Sequence, residues 1–538
     1  MVRSATERHL CRNSRPDLTI PGEVSIITLP VKVLDNLSTP GVYVVNFVSY
    51  LLERRRDSEK LFVSGDRGTL TYADFEHQLE NLSSVLYRRF GSGKKILLMA
   101  DNTPFFIISY LSIINSGNIA VLVETRISRT DLARICATGS LSGALVQDKY
   151  FSFFEGSPFD IMEETVLKET GDKEFFARSP PVIRPDDLAV IIFTSGSTGT
   201  KKGVMLTHKN LIANTGSIIE YLGLDETDRM CVALPFFYCY GASLLHTHLR
   251  AGGSIVLNQS PFLGSVITDI NAYRCTGFAG VPSTFQILIN KTRFLEQELP
   301  SLRYFTQAGG QLPNKYIQLI TEHFPKKKFY VMYGATEATA RLSYLPPEFV
   351  TAKMGSIGKG IPGVTLAVLT PGGLPVKPAE TGEIAARGDN IMKGYYNDPE
   401  GTAAVLKNGW LYTGDLATVD DDGFIYVVGR SKNIIKSGGY RISPGEIENE
   451  ILSCEKFTGC VVFGIPDEVM GEAVVAVIQA TETPDQDDLR REVLAHCNKR
   501  LPSYKVPRKI FFINEFPLNS SNKTDIAALK DMVLSRDR

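Results

Sequence analysis

The chain has 538 residues, 43% of them hydrophobic, and 58 Lys and Arg against 59 Asp and Glu give a net charge of −1. That length exceeds one ordinary core and predicts two or more domains, while the balanced charge excludes a nucleic-acid-binding stripe and a strongly acidic partner surface. Its 8 cysteines are scattered, with no CxxC pair and no His at zinc-finger spacing, which fits a cytoplasmic, reducing setting, and the opening MVRSATERHLCRNSRPDL lacks the apolar core of a secretory signal.

Taken in chain order, the runs Arg54, Arg55, Arg56 and Lys326, Lys327, Lys328 read as solvated faces. The most apolar stretch, residues 96–123, is broken by Asp101, Asn102, Pro104, Asn115, Gly117 and Asn118, short of the ~20 residues of a membrane span. It reads as a strand and a buried helix. Further strands are expected at GALVQD from 143, AVIIFTS from 189, GSIVLN from 253 and FYVMYG from 329. Helical patterns separate them, so the expected fold is α/β, with parallel-rich sheets flanked by helices.

The strand LAVIIF at 188–193 feeds the run TSGSTGTKKGV. There Gly196, Gly199 and Gly203 stand among Thr194, Ser195, Ser197, Thr198 and Thr200, followed by Lys201 and Lys202. Glycines let backbone amides turn toward an anion, hydroxyls add donors and lysine adds charge, which makes a phosphate cradle. The spacing is not GxxxxGK[ST], so a P-loop NTPase is disfavoured. A flexible Gly/Ser linker is the bland alternative, but linkers rarely sit between apolar runs. A second strand is expected at 204–206, then a helix capped by Thr207 and running through Leu211 and Ile218. Beyond residue 365 the pattern changes to short strands broken by turns, a small β-barrel-like part with hairpins expected at Gly372-Gly373 and Asp422-Gly423. After Arg430 come a helix (GEIENEIL), two strands (CVVFGIP, AVVAVIQA) and a helix (DLRREVLAHCNKR), a compact α+β module.

Four other segments carry chemistry. YGATE at 333–337 follows a strand and supplies Glu337, which standing alone reads as an exposed turn glutamate. YTGD at 412–415 supplies Asp415, which alone reads as a turn aspartate after glycine, and Arg430 follows in a GR pair. QAGGQL carries Ala308, Gly309 and Gly310, and PLNSSNKTDIAAL carries Lys523. With these motifs in their order along the chain, from about residue 40 onward, the chain resembles the AMP-forming adenylate enzymes, which include acyl-CoA synthetases, luciferases and peptide-synthetase adenylation domains. It is most like a carboxylate–CoA ligase.

The resemblance implies an N-terminal domain, 1–430, that binds ATP and acid, and a small mobile C-terminal lid, 431–538, turning on a hinge at Lys432. It implies that Thr194, Ser195, Gly196, Ser197, Thr198, Gly199 and Lys202 cradle the phosphates, that Gly309 and Gly310 lie along adenine, and that Tyr333 stacks on it beside Gly334. Thr336 would contact phosphate, Glu337 and Thr198 would hold Mg2+, and Asp415 and Arg430 would hold ribose. Lys523 would bridge the α-phosphate and the substrate carboxylate. Tyr238, Gly241 and Ala308 would line the acyl pocket, while Lys436, Gly438 and Gly439 would serve CoA in the thioester step. Two departures stand out: Asn522 precedes the lysine where glycine is usual, and Tyr238 takes the place of a common histidine.

The expected activity is acid activation to acyl-AMP with release of pyrophosphate, then transfer to CoA, with ATP, Mg2+ and CoA as cosubstrates and cofactors. Residues 236–245 hold Phe236, Phe237, Tyr238 and Tyr240 but no aspartate to pair a substrate ammonium, so an apolar or aromatic acid is expected rather than an amino acid. Two alternatives stay open: a free-standing ligase loading a carrier protein in trans, and a nucleotide-binding regulator without catalysis. No nucleic acid and no membrane span are expected; the acid, the pathway and the oligomeric state are not written in the sequence.

Overall fold

A computed structural model describes residues 46–53, 58–66, 68–173, 176, 181–195, 201–260, 262–431, 433–454, 456–480, 486–519 and 523–536. Residues 43–538 form one compact unit. In one sheet of it, Lys95–Met99 runs parallel to Ile119–Leu122 and Leu141–Val146, and Leu188–Ser195 runs parallel to Ile119–Leu122. These strands are rich in Val, Ile and Leu, and most of those side chains are buried, as parallel strands covered on both faces require. The stretch 96–123 is thus strand, helix Pro104–Asn115 and strand. Thr103 caps the helix by accepting the Phe106 N–H at 3.3 Å, and Pro104 occupies the first turn, where no amide is needed. Among the described residues no helix is long and apolar enough to cross a membrane.

A second sheet sets five strands side by side and parallel: Ser254–Leu257, Arg229–Val232, Gly277–Gly280, Tyr304–Gln307 and Lys328–Tyr333. In such sheets ligands bind beyond the carboxyl ends of the strands. The segments leaving those ends carry Tyr238, Val281, Ala308 to Gly310, and YGATE.

The antiparallel part pairs Val364–Leu369 with Gly382–Gly388, which pairs with Trp410–Val419, and the last with Ile425–Arg430. Asp422-Gly423 closes a hairpin, with Asp420 N–H donating to Phe424 O at 3.0 Å. Gly372-Gly373 closes a short hairpin: Thr370 N–H donates to Leu374 O at 2.8 Å, Val376 N–H donates to Val368 O at 3.0 Å, and Leu369 lies opposite Pro375. Pro375 and Pro378 keep it short, because neither can donate to a ladder, and the longer partner strand starts at Gly382.

In the C-terminal part, Phe457–Asp467 pairs with Gly471–Ala480, and Lys509–Ile513 adds a parallel strand. Side chains alternate between faces. Val462, Val474 and Ile478 pack under the helices Pro444–Leu452 and Gln486–Arg500, while Val461, Phe463 and Val475 meet Leu529 and Val533 of Ile526–Arg536. Lys315 and Tyr316, on the helix Asn314–His323, bond the Phe457 and Thr458 carbonyls, which fixes this part against the large sheet.

Glu448 on the helix Pro444–Leu452 accepts the Val462 N–H at 2.8 Å, and burial pushes its carboxyl from 4.5 up to about 7. A raised folded value means that the protonated form stabilises the fold below the unfolded pKa, and that this stability is lost as pH rises through about 7. Glu448→Gln is therefore expected to match wild type near pH 5 and to melt about 3 °C or more higher near pH 8. Thermal unfolding at the two pH values checks this; equal Tm differences at both would contradict it.

Candidate active site

Tyr333 ends its strand at the carboxyl edge and points its hydroxyl at Asp415, donating to Oδ2 at 2.6 Å. Burial, reinforced by the Asp415 carboxylate, pushes the Tyr333 phenol well above its ordinary value, so it stays a donor. Asp415 sits directly across the hairpin from Arg430, whose Nε lies 3.1 Å from Oδ1. The register shifts just after Asp415, between Leu416 and Ala417, and Gly414 at φ +77° takes a conformation costly for other residues; such bulges re-aim side chains. Asp415 is 7% exposed. A buried carboxylate with a tyrosine and an arginine around it offers the acceptors that vicinal hydroxyls need.

On the phosphate side, Thr194 pairs with Lys202 across the hairpin of Leu188–Ser195 and Lys201–Thr207. Gly196, Ser197, Thr198 and Gly199 lie outside the described residues, as do Lys432, Asn522 and the side chain of Ser195. Lys202 Nζ stands 3.1 Å from Asp398 and 4.5 Å above the Tyr395 ring. The Tyr395 hydroxyl donates to Glu337 Oε1 at 2.8 Å. Glu337 is further fixed by its carbonyl, which accepts the Met392 N–H at 2.9 Å. No cluster of three or more His, Cys, Asp or Glu suited to a metal occurs among the described residues. A lone carboxylate fits Mg2+ shared with phosphates, because Mg2+ keeps several waters and takes one or two protein carboxylates at such sites.

Tyr395 and Asp398 were not singled out by the sequence. Tyr395 lies 58 residues from Glu337, and both lie some 200 from Lys202 along the chain; the pairing of Gly394 and Tyr395 with Met205 and Val204 brings them in. Tyr395→Phe is expected to raise the Mg2+ concentration for half-maximal pyrophosphate exchange about tenfold, the usual scale for removing a group that orients a metal ligand. Titrating Mg2+ at saturating ATP measures it, and an unchanged midpoint would refute the role.

Lys523 reaches the same edge from the C-terminal part. Its loop is pinned by Asn519, whose Oδ1 accepts the Lys523 N–H at 3.0 Å and whose N–H donates to the Lys523 carbonyl at 2.8 Å. The ammonium lies 4.8 Å from the Tyr238 ring centroid. Gly309, at φ +90°, leaves the room: a β-carbon there would fall 3.0 Å from Lys523 Cε and 3.1 Å from Val281 Cγ1. Burial lowers the Lys523 pKa, an effect opposed by Cys239 and aided by Arg430. An arriving anion favours the charged form. Beside it, Thr336 is buried and donates to Cys239 Sγ at 3.4 Å, Ala308 is buried, and Gly241 packs so closely on Pro235 that a β-carbon would lie 2.0 Å from its carbonyl oxygen.

Tyr238, Gly241, Ala308, Gly309, Gly310, Tyr333, Gly334, Thr336 and Glu337 thus lie at or just beyond the carboxyl ends of the parallel strands. Lys523 reaches them from the C-terminal part, Thr194 and Lys202 come from the hairpin of the other large sheet, and Asp415 and Arg430 from the antiparallel part. The structure does not bring Lys436, Gly438 or Gly439 there. They form a hairpin of the C-terminal part, with Lys436 exposed, its N–H on Glu472 Oε2 at 2.6 Å, and nothing within 4 Å of a β-carbon built on Gly439.

Comparison with known proteins agrees with this geometry. The family model for the AMP-binding enzyme matches residues 52–396, and that for the AMP-binding enzyme C-terminal domain matches 446–523. The chain is 32% identical over 483 residues to a feruloyl-CoA synthase of Amycolatopsis sp, covering 88% of this chain and 96% of that protein. It is 30% identical over 482 residues to a 2-succinylbenzoate–CoA ligase of Bacillus velezensis, covering 88% and 96%. The solved structure of o-succinylbenzoate CoA synthetase from Bacillus subtilis with its acyl-adenylate intermediate superposes with a TM-score of 0.80 at 26% identity, covering 90% of this chain and 98% of that one. The same enzyme with ATP and magnesium gives 0.80 at 27%, covering 90% and 99%. The chain belongs to the AMP-binding enzyme family, as an AMP-forming ligase of the acyl-CoA synthetase type.

Proposed function

We propose that this enzyme activates a carboxylic acid with an apolar or aromatic body, and that the residues gathered at the strand ends divide the work as follows. Asp415 and Arg430 hold the ribose, and Tyr333 covers the base. Lys202 and the glycine-rich loop hold the phosphates, with Glu337, oriented by Tyr395, and Thr198 as ligands for Mg2+. The acid lies between Tyr238, Gly241 and Ala308. Its carboxylate oxygen attacks the α-phosphorus, the bond to pyrophosphate breaks, and Lys523 offsets the charge that builds between the two anions. The CoA sulfur then forms the thioester and AMP leaves.

The observation that carries this reading is the delivery of the Lys523 ammonium to the strand ends beside Tyr238, next to the Tyr333, Asp415 and Arg430 pocket. Lys436 and Gly439 are remote from it in this arrangement, so the second half-reaction needs the segment 431–538 to turn as a lid about Lys432. The ring surface of Tyr238 and Tyr240 favours an aromatic or apolar body, and relatives named for ferulate and succinylbenzoate support an aryl acid. Free cysteines throughout the described residues suit a reducing cytoplasm.

A panel of short, medium and long aliphatic acids, aryl acids and amino acids, followed by ATP-dependent pyrophosphate release, tests the proposal. Aryl or aliphatic acids are expected to give the highest kcat/KM, with CoA preferred over a carrier protein as acceptor. An amino acid ranking first would overturn the substrate reading. Faster loading of a carrier protein would overturn the choice of CoA.

A further inference from the structure

Arg341 is the buried cation that the reaction above leaves without a task. It is 2% exposed, and its guanidinium carries five N–H donors in a rigid fork. Nε reaches the Met332 thioether at 3.3 Å, Nη1 reaches the neighbouring Ala340 carbonyl at 3.4 Å, and the group lies 4.0 Å over the Tyr240 ring. These partners, and the Tyr221 hydroxyl, which Arg341 also bonds, are weak or neutral. No ion pair to a carboxylate is formed by Arg341 among the described residues, although a buried charge is costly unless paired.

Its backbone is held with care. Thr339 takes φ +67° and ψ −59°, and Ala340 N–H donates to Ala338 O at 2.7 Å, which is a strained γ-turn of a rare hand. Asn390 Nδ2 donates to the carbonyls of Ala338 and Arg341 at 3.2 and 2.9 Å, Asn214 Nδ2 donates to Arg341 O at 3.1 Å, and the Thr339 hydroxyl donates to Asn390 O at 2.7 Å. Strain kept by so many bonds belongs to sites with a task.

Its neighbours belong to the segments proposed above to line the acid pocket. Arg341 follows YGATE by four residues; Tyr240, on which it stacks, follows Tyr238 by two. The Tyr240 hydroxyl is fixed at 2.9 Å from both Thr306 O and Oγ1, two residues before Ala308. Arg341 also favours the ionised forms of Tyr238 and Cys239 against the burial that opposes them, so its field reaches the groups beside Lys523. The three segments that line the acid's entry therefore meet again, one step deeper, around a guanidinium.

We propose that Arg341 receives a second carboxylate, and that the acid activated by this enzyme is a dicarboxylic acid whose distal carboxylate pairs with Arg341 while the proximal one reacts beside Lys523. This rests on the acid-ligase reading and narrows it. A planar guanidinium matches a carboxylate in two parallel bonds, and Tyr240 holds the fork flat for that pairing.

The test measures kcat/KM by pyrophosphate release for matched pairs, adipate against hexanoate and terephthalate against benzoate, with wild type, Arg341→Met and Arg341→Lys, and records Tm and ATP binding for each protein. Wild type is expected to prefer the diacid of at least one pair by on the order of tenfold or more, as sites built to bond a polar group reject analogues that lack it. Arg341→Met should lower that diacid by on the order of 10²-fold, leave the monoacid within a few-fold and thereby reverse the ranking, and Arg341→Lys should fall between. If Arg341→Met fails to fold, the wild-type ranking and Arg341→Lys decide. Monoacids winning both pairs in wild type, or equal losses on both acids in a folded variant, would overturn the proposal while leaving the ligase reading intact. Release with none of these acids or those of the wider panel would remove both.

Discussion

Replacing Lys523 by alanine is expected to slow acid-dependent pyrophosphate exchange by on the order of 10²-fold or more, the effect of removing a preorganised charge worth about 3 kcal/mol in the transition state. ATP binding should change little, because the residues proposed to hold the nucleotide, Tyr333, Asp415, Arg430 and Lys202, stand on other elements. The lysine is placed for this: its loop is closed by two bonds to Asn519, and Gly309 leaves its side chain space. Burial lowers its pKa when the pocket holds no anion, so two anionic reactants gain most from its charge. Exchange within a few-fold of wild type would mean that Lys523 does not act on this half-reaction.

Asp415→Ala is expected to raise the KM for ATP by on the order of 10²-fold. Bonds to a charged group contribute about 1.5–3 kcal/mol each, and a buried hydroxyl left without its acceptor adds a further cost. Here the stranded hydroxyl is that of Tyr333, which loses its 2.6 Å bond, and Arg430 loses its ion partner at 3.1 Å. On the proposed reading, the cover over the base and the ribose acceptor therefore fail together. Tyr333→Phe separates the two contributions, since it removes the hydroxyl and keeps the carboxylate and the ring. Its effect should be about tenfold or less. An Asp415→Ala enzyme with wild-type KM for ATP would exclude the ribose role.

Motifs whose chemistry is local were legible in the sequence. A strand that ends in glycine, hydroxyl and lysine has few other uses, and Thr207 followed by Asn210 makes a capping box that starts a helix at His208. The apolar run at 96–123 is too often broken to span a membrane, and it folds as strand, helix and strand. At Gly372-Gly373 the hairpin forms as turn chemistry predicts, and Pro375 and Pro378 keep it short, so the long partner of Val364–Leu369 is the later strand from Gly382.

What the sequence determined by itself was therefore the elements and the parallel-rich α/β class, because period, capping and turn chemistry act over a few residues; the roles proposed for Tyr333, Asp415 and Lys523 rest on the resemblance. What only the tertiary structure decided was who meets whom. Tyr395 bonds Glu337 across 58 positions and Tyr240 bonds Thr306 across 66, and Arg341 lies on a ring a hundred residues earlier with no acid beside it. An arginine after a threonine and an alanine has no local signature. Its meaning comes from burial and from the carboxylate it lacks, and both are properties of packing, which sums contributions from segments that the chain order keeps apart.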